Sequence, residues 1–248
     1  GTTSLIDVQI SGVTSIPGIV GDSGGWGMVI NGGDLVAHNV TIDGTVRAGL
    51  VAAIDGVASI QNVTVRNVTC SSEGAWGRGV YIQGIAPGAY LNMEDVVVEN
   101  VQETGIFIQD LSSADLQNVT IDTVSSHESA DGESMGGDGM VVVQTSTEDF
   151  IDPSVVSVQL LGSNSFTGID RVGVIAHGSH VQMTVPMAIE AGEVRDGMSV
   201  FTQGDGKIDF ISTAGSDGET GETLIAPEGG EEDSYHLDCD GFDFSSPL

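Results

Sequence analysis

A glycine followed by an apolar triplet recurs seven times along this chain: Gly27-Met-Val-Ile, Gly49-Leu-Val-Ala, Gly79-Val-Tyr-Ile, Gly105-Ile-Phe-Ile, Gly139-Met-Val-Val, Gly173-Val-Ile-Ala and the partly polar Gly197-Met-Ser-Val. A second motif alternates with it and reads apolar-x-Asn/Asp-Val-x-Ile/Val. Its copies lie at 5–10, 37–42, 60–65, 93–98 and 116–121, with a looser one at 155–160. The central valines are Val8, Val40, Val63, Val96, Val119 and Val158. Both motifs are rich in β-branched residues, alternate with a period of two and are bounded by Gly, Asn and Asp, which is strand chemistry. Residues 1–211 carry no apolar stripe of helical period. The spacing predicts an all-β solenoid of about seven coils, because one coil cannot bury its apolar side until a neighbour stacks on it. At a strand spacing of about 4.8 Å such a stack is a rod roughly 30 Å long.

Residues 212–248 break the pattern. Gly-Ser-Asp-Gly-Glu-Thr-Gly-Glu and Glu-Gly-Gly-Glu-Glu-Asp are linker chemistry, yet Leu224, Ile225, Tyr235, Leu237, Phe242 and Phe244 are scattered among them. The expected division is a β-solenoid over 1–211 and an acidic tail over 212–248, either mobile or docked on the solenoid. Asp plus Glu number 36 against 6 Lys plus Arg, a formal charge of −30. Phosphate backbones and anionic lipid surfaces repel such a chain, which argues against nucleic acid as a partner. No apolar run approaches the roughly 18–20 residues of a membrane span, so membrane insertion is not expected either. The chain shows no signal segment and does not begin with Met, which reads as a mature product or an excised piece.

The Asn-Val-Thr-Ile/Val segments at 39–42, 62–65 and 118–121, with the glycine-led triplets, resemble the right-handed parallel β-helix repeat family, the pectin-lyase-like fold, over about residues 4–211. The resemblance implies that fold and little about function, since the fold hosts lyases, hydrolases, adhesins and inert rods. The family's hydrolases use clustered aspartates, an Asp-Asp pair, a Gly/Ser-His-Gly segment and an Arg-x-Lys segment. This chain offers only Ala176-His177-Gly178 as a partial echo, and His177 and His180 read as solvent-facing turn residues. The family's lyases need calcium ligands and a basic residue facing an acidic sugar. Here Arg47, Arg66, Arg78, Arg171, Arg195 and Lys207 are dispersed. The expectation leans away from an enzyme.

Alternation assigns faces. In the glycine motif the first and third apolar residues line the core, and the middle ones face outward: Val29, Val51, Tyr81, Phe107, Val141, Ile175 and then Ser199. The valine motif instead turns Gln9, Thr41, Thr64, Val97, Thr120 and Gln159 outward. A strand apolar on both sides is usually covered on both, and six large apolar side chains in one column approach the few hundred Å² that a monomer leaves bare. The column Val29–Val51–Tyr81–Phe107–Val141–Ile175 is therefore the candidate partner-binding stripe, to be covered by the tail, a second copy or another partner.

Long connections at 11–26, 66–78, 122–138 and 162–172 alternate with short ones at 43–48 and 99–104, which gathers the long loops at one corner. Trp26 and Trp76 lie there, two coils apart, which is about 10 Å. They are either stacking platforms for a glycan or two small satellite cores. Oxygen-rich loops suit Ca²⁺; the candidate ligands are Asp131, Glu133 and Asp138, and Asp205 with Asp209, and no cofactor is required. Cys70 and Cys239 form either one disulfide or two buried thiols. The leading expectation is a secreted or cell-surface structural or adhesive β-helix that associates through its apolar column, with open ends that favour head-to-tail stacking into a filament or membership of a larger surface assembly. The alternative is a carbohydrate-binding or polysaccharide-degrading β-helix that uses the Trp26/Trp76 corner.

Overall fold

The structure is a computed structural model and describes residues 1–14, 25–71, 76–128, 134–144, 157–185, 188–191, 198–203 and 207–212. Among them there is no helix, and the strands, numbered in chain order, form two sheets. The first holds β1 (Thr2–Val13), β3 (Asp34–Val46), β5 (Val57–Thr69), β7 (Tyr90–Gln102), β9 (Ser113–Gln117), β10 (Thr120–Glu128), β11 (Ser134–Gly136), β13 (Ser157–Leu161), β14 (Ser165–Ile169), β16 (His180–Val185), β17 (Ala188–Ala191) and β19 (Lys207–Ser212). The second holds β2 (Trp26–Asn31), β4 (Ala48–Ile54), β6 (Arg78–Gly84), β8 (Thr104–Gln109), β12 (Asp138–Val143), β15 (Val172–His177) and β18 (Met198–Gln203). The main path of the first runs β1-β3-β5-β7-β9-β13-β16-β19, with β10, β14 and β17 continuing the strands beyond β9, β13 and β16. The second runs β2-β4-β6-β8-β12-β15-β18. Pairing is parallel throughout the described residues except between β10 and β11. The chain crosses from one sheet to the other and returns one strand further on, so residues a repeat apart in sequence become lateral neighbours.

The glycine triplets supply the seven strands of the second sheet. Gly27, Gly49, Gly79, Gly105 and Gly139 stack, each against the carbonyl oxygen of the glycine on the next strand. A Cβ at Gly105 would sit 2.6 Å from the carbonyl oxygen of Gly139 and 2.6 Å from Cγ2 of Ile121. Close approach of backbone to backbone, not a left-handed φ, requires glycine at this position. Between the sheets lies one apolar core, in which Leu35, Ile42, Leu50, Leu91 and Ile106 have no exposed surface.

The long strands of the first sheet are not straight. β1, β3, β5 and β7 each carry two left-handed residues five positions apart, Asp7/Gly12, Asn39/Gly44, Asn62/Asn67 and Asp95/Asn100, and Asn118/Thr123 repeat the spacing across β9 and β10, with φ between 51° and 71°. Asn, Asp and Gly reach that conformation most readily. The bend breaks the two-residue alternation by one position. Ala37 and Val40, Ile60 and Val63, and Met93 and Val96 are therefore all core residues although they stand three apart. The bend residues also bond to one another across strands. Asn39 Nδ2 donates to Asp7 Oδ1 at 2.8 Å, Asn62 Nδ2 to Asn39 Oδ1 at 2.5 Å, and Asn118 Nδ2 to Asp95 Oδ1 at 3.0 Å. A parallel row joins Asn100 to Asn67 at 2.6 Å and Asn67 to Asp43 at 2.7 Å.

Two register expectations are corrected. In β18, Val200 pairs with Val174 and Phe201 with Ile175, so Phe201 and not Ser199 stands in the outer column. The offset is two residues, which preserves the faces; Val200 packs on the core and fixes the register. In β13, Val158 pairs with Ala114 and not with Val119, while Thr120 pairs with Ser165. Gln159 therefore leaves the threonine row and donates from Nε2 to Gln182 Oε1 at 3.2 Å.

Candidate functional site

The outer column of the second sheet is in register from Val29 through Val51, Tyr81, Phe107 and Val141 to Ile175. Val51, Tyr81, Val141 and Ile175 have no exposed surface and Phe107 retains 2%. With Ala48, Val143 and Val172 they make a second apolar cluster, separate from the core between the sheets, and Val29, Trp26 and Trp76 are half-buried members of it. The column, expected to be covered by the tail, a second copy or another partner, is buried within a single chain. The reason is the one that predicted a cover, that so large an apolar patch is unfavourable in water. The tail expected to dock lies outside the described residues beyond Ser212, as do Asp131, Glu133, Asp205 and Cys239.

The two tryptophans belong to the same cluster. Their ring centroids are 5.2 Å apart and edge-to-face, half the separation expected from strand spacing. The rings meet because the strand between them presents only Ala48, which pairs with Trp26 on one side and Arg78 on the other. The stack continues from Trp76 to Tyr81 at 5.6 Å and from Tyr81 to Phe107 at 5.5 Å. Such edge-to-face contacts stabilise beyond simple burial. Tyr81 satisfies its hydroxyl by donating to Gln109 Oε1 at 2.8 Å.

Arginines line the edge of this cluster. The Arg47 guanidinium lies 4.8 Å over the Trp26 ring, and that of Arg78 lies 4.3 Å from Trp76 and 4.2 Å from Phe107. Arg78 and Arg171 are tied to carboxylates where strands of the second sheet begin. Arg78 Nε donates to Glu103 Oε1 at 2.9 Å, and the other oxygen of Glu103 accepts from Gly77 N at 2.8 Å. Arg171 Nε donates to Asp138 Oδ1 at 2.7 Å, and its Nη2 bonds Asp138 Oδ2. The sequence shows these cations as dispersed; the fold gathers Arg47, Arg78 and Arg171, because each precedes its glycine by one or two residues. That shared offset is the signal that sequence reasoning missed.

Asp138, expected among the calcium ligands, is the buried counter-ion of Arg171, which engages both carboxylate oxygens. Burial pushes its carboxyl above the usual carboxylate range and the guanidinium pulls the other way. Asp209 stands on β19 opposite Gln182. Among the described residues no group of three His, Cys, Asp or Glu side chains is placed to hold a metal ion. Cys70 is a free thiol whose sulfur lies 3.3 Å from His127 Nδ1. Burial first, then the Glu103 carboxylate, push that thiol up to about 12. A thiol that stays protonated is a poor nucleophile, so this Cys–His contact is not an activated pair.

The first sheet presents a different surface. Arg66 bonds Asp43 at 2.9 Å in the open. The Asn67 amide, then Arg66, hold the Asp43 carboxyl below its usual range. No protein-family model, curated protein or solved structure matches the chain. Fold and site together define an all-β protein with parallel sheets, one face wet and laddered by asparagine, the other sealed by aromatic and arginine side chains.

Proposed function

We propose that this chain is a right-handed parallel β-helix of the pectin-lyase-like kind, acting as a secreted or cell-surface structural or adhesive scaffold and not as an enzyme. The alternation of strands between two parallel sheets supports the winding, as do the columns of like residues: glycine on glycine, asparagine on asparagine, aromatic on aromatic. The observation that carries the scaffold role is the sealing of the second sheet. Its outer face holds Val51, Tyr81, Phe107, Val141 and Ile175 at no more than 2% exposure, edged by Arg78, which is itself ion-paired to Glu103. An arrangement apolar on both faces contributes stability and stiffness.

The test is to incubate the purified chain with neutral and acidic polysaccharides while following reducing ends and unsaturated uronate, and to screen it on a glycan array beside a Trp26→Ala/Trp76→Ala variant. No product, and an elongated particle by small-angle scattering, is the expected result. Turnover of any polysaccharide overturns the scaffold reading. Glycan binding that disappears in the double variant replaces it with a carbohydrate-binding one.

A further inference from the structure

The threonines of the first sheet follow a rule that its bends do not impose. Of the ten left-handed positions in the five bent repeats, Asn39, Asn62, Asn67, Asn100 and Asn118 are asparagine and Asp7 and Asp95 are aspartate. Four of the asparagines have threonine two residues on: Asn39-Val40-Thr41, Asn62-Val63-Thr64, Asn67-Val68-Thr69 and Asn118-Val119-Thr120. Neither aspartate does. Gln9 follows Asp7, and Val97 follows Asp95, at the same offset. The bend is indifferent to this pairing, because aspartate reaches the left-handed region as asparagine does. Asp7, Asp43 and Asp95 also accept in the same rows of side-chain bonds. The valine between is a core residue. The residue after it points outward, and Gln9 and Val97 stand in that column in register with Thr41 and Thr64. The hydroxyl therefore goes with the amide nitrogen and not with the turn.

We propose that the exported chain carries N-linked glycans at Asn67 and at one of Asn39 and Asn62. Asn-x-Thr, with x other than Pro, is the acceptor for N-linked sugar on the surface of a secreted protein. The donor is a lipid-linked oligosaccharyl diphosphate. The amide nitrogen bonds to the anomeric carbon, the bond from that carbon to the diphosphate oxygen breaks, and the amide loses one proton as the lipid diphosphate leaves. Geometry sorts the four acceptors. A primary amide carries two hydrogens. Asn67 is exposed and gives one of them to Asp43 Oδ1 at 2.7 Å, which leaves the other for exchange. Its bonded neighbours, Asp43 and Asn100, are not acceptors, since Gln102 stands two residues after Asn100, so no second glycan competes for that space. Asn39 and Asn62 are exposed too, but they touch: Asn62 Nδ2 bonds Asn39 Oδ1 at 2.5 Å. Side by side on adjacent strands, only one of them has room for a branched sugar. Asn118 is half-buried; its Oδ1 accepts from Ser163 N at 3.2 Å, and a Cβ at Gly162 would lie 3.0 Å from it. The backbone of 162–163 stands against this side chain, and it stays unmodified.

The modification takes from the scaffold reading only its export, and the two fail separately: polysaccharide turnover sinks the scaffold and leaves the glycans, while a bare Asn67 does the reverse. The test is mass mapping of the chain exported by its native cells. Enzymatic release of the sugar in heavy-oxygen water converts each modified Asn to a labelled Asp, and the intact mass counts glycans per chain. Label is expected at Asn67, and at Asn39 or Asn62 with no molecule carrying both. Two variants separate the acceptor role of the hydroxyl from a structural one. Thr69→Val should abolish the label at Asn67 while Asn67 itself remains, and Thr69→Ser should retain it. A hydroxyl needed only by the strand predicts no such split. An unlabelled Asn67, label at neither of Asn39 and Asn62 or at both on one molecule, label at Asn118, or label at Asn67 that survives Thr69→Val would each overturn the proposal.

Discussion

On its outward side the first sheet carries Thr41, Thr64, Val97 and Thr120 in one column, each half-exposed; on its outward side the second carries Val51, Tyr81, Phe107, Val141 and Ile175, all buried. The inward faces of the two are alike, since both supply aliphatic residues to one shared core. The strands also turn by different means. The first sheet bends at asparagine and aspartate, whose polar ends meet water and one another. The second enters through glycine, which lets backbone pass against backbone with no room for a side chain. One chain thus contains two kinds of column. In the wet column a neighbour contributes through a hydrogen bond that competes with solvent, so each member matters little. In the dry column each member fills volume that nothing else fills, so each matters a great deal.

The sharpest test of that contrast is truncation in the dry column. Phe107→Ala removes a ring that touches Tyr81 at 5.5 Å and supports Arg78 at 4.2 Å. Urea unfolding should show a loss of about 3–5 kcal/mol, the range for a fully buried aromatic. A loss below about 1 kcal/mol would mean that the column faces water in solution, and the distinction between the sheets would collapse. A second test makes the same substitution on both sheets. Val141→Thr buries a hydroxyl in an apolar cluster, at a cost of about 1–3 kcal/mol. Val97→Thr completes the row Thr41, Thr64, Thr120 on the wet face, and should change stability by less than about 0.5 kcal/mol. Thermal melts of the two variants at matched pH check the pair, and equal shifts would refute the assignment of faces.

Much of this was legible in the sequence, for reasons that also explain what was not. The glycine triplets marked the strands of the second sheet because the close approach they permit recurs at Gly27, Gly49, Gly79, Gly105 and Gly139. The same anchor misplaced residues 198–200, since the last pairing follows the apolar Val200 and not its glycine. Val158 was misaligned because the repeat there lacks the asparagine; Gly162 and Ser163 precede Asn164, whose Oδ1 accepts from Val119 N at 2.8 Å. The bends were written in the five closer copies of the valine motif as apolar residues three apart, but a strict two-residue period hides them. Column identity was readable and its cover was not, because burial depends on what lies over a sheet and alternation reports only which way a side chain points. The tryptophan separation failed for a related reason: strand spacing fixes backbones, and large rings lean across a neighbour as small as Ala48.

The smallest expected effect tests the wet side of the contrast. Asn62 is exposed, sits at φ 51°, and donates to Asn39 Oδ1 at 2.5 Å. Two contributions are joined there, and two substitutions separate them. Asn62→Gly keeps access to the left-handed conformation and removes only a solvent-exposed hydrogen bond, so it should lower stability by no more than about 0.5 kcal/mol. Asn62→Ala removes the bond and also forces a Cβ without a polar end into the left-handed region, which should bring the loss to about 1–1.5 kcal/mol. The difference between the variants, not either value alone, measures the bend. If alanine proves as mild as glycine, the bend is not what Asn62 supplies, and the wet column is held by its hydrogen bonds. If both exceed the loss in Val141→Thr, the surface ladder outweighs the sealed face, and the ranking of the two sheets is inverted.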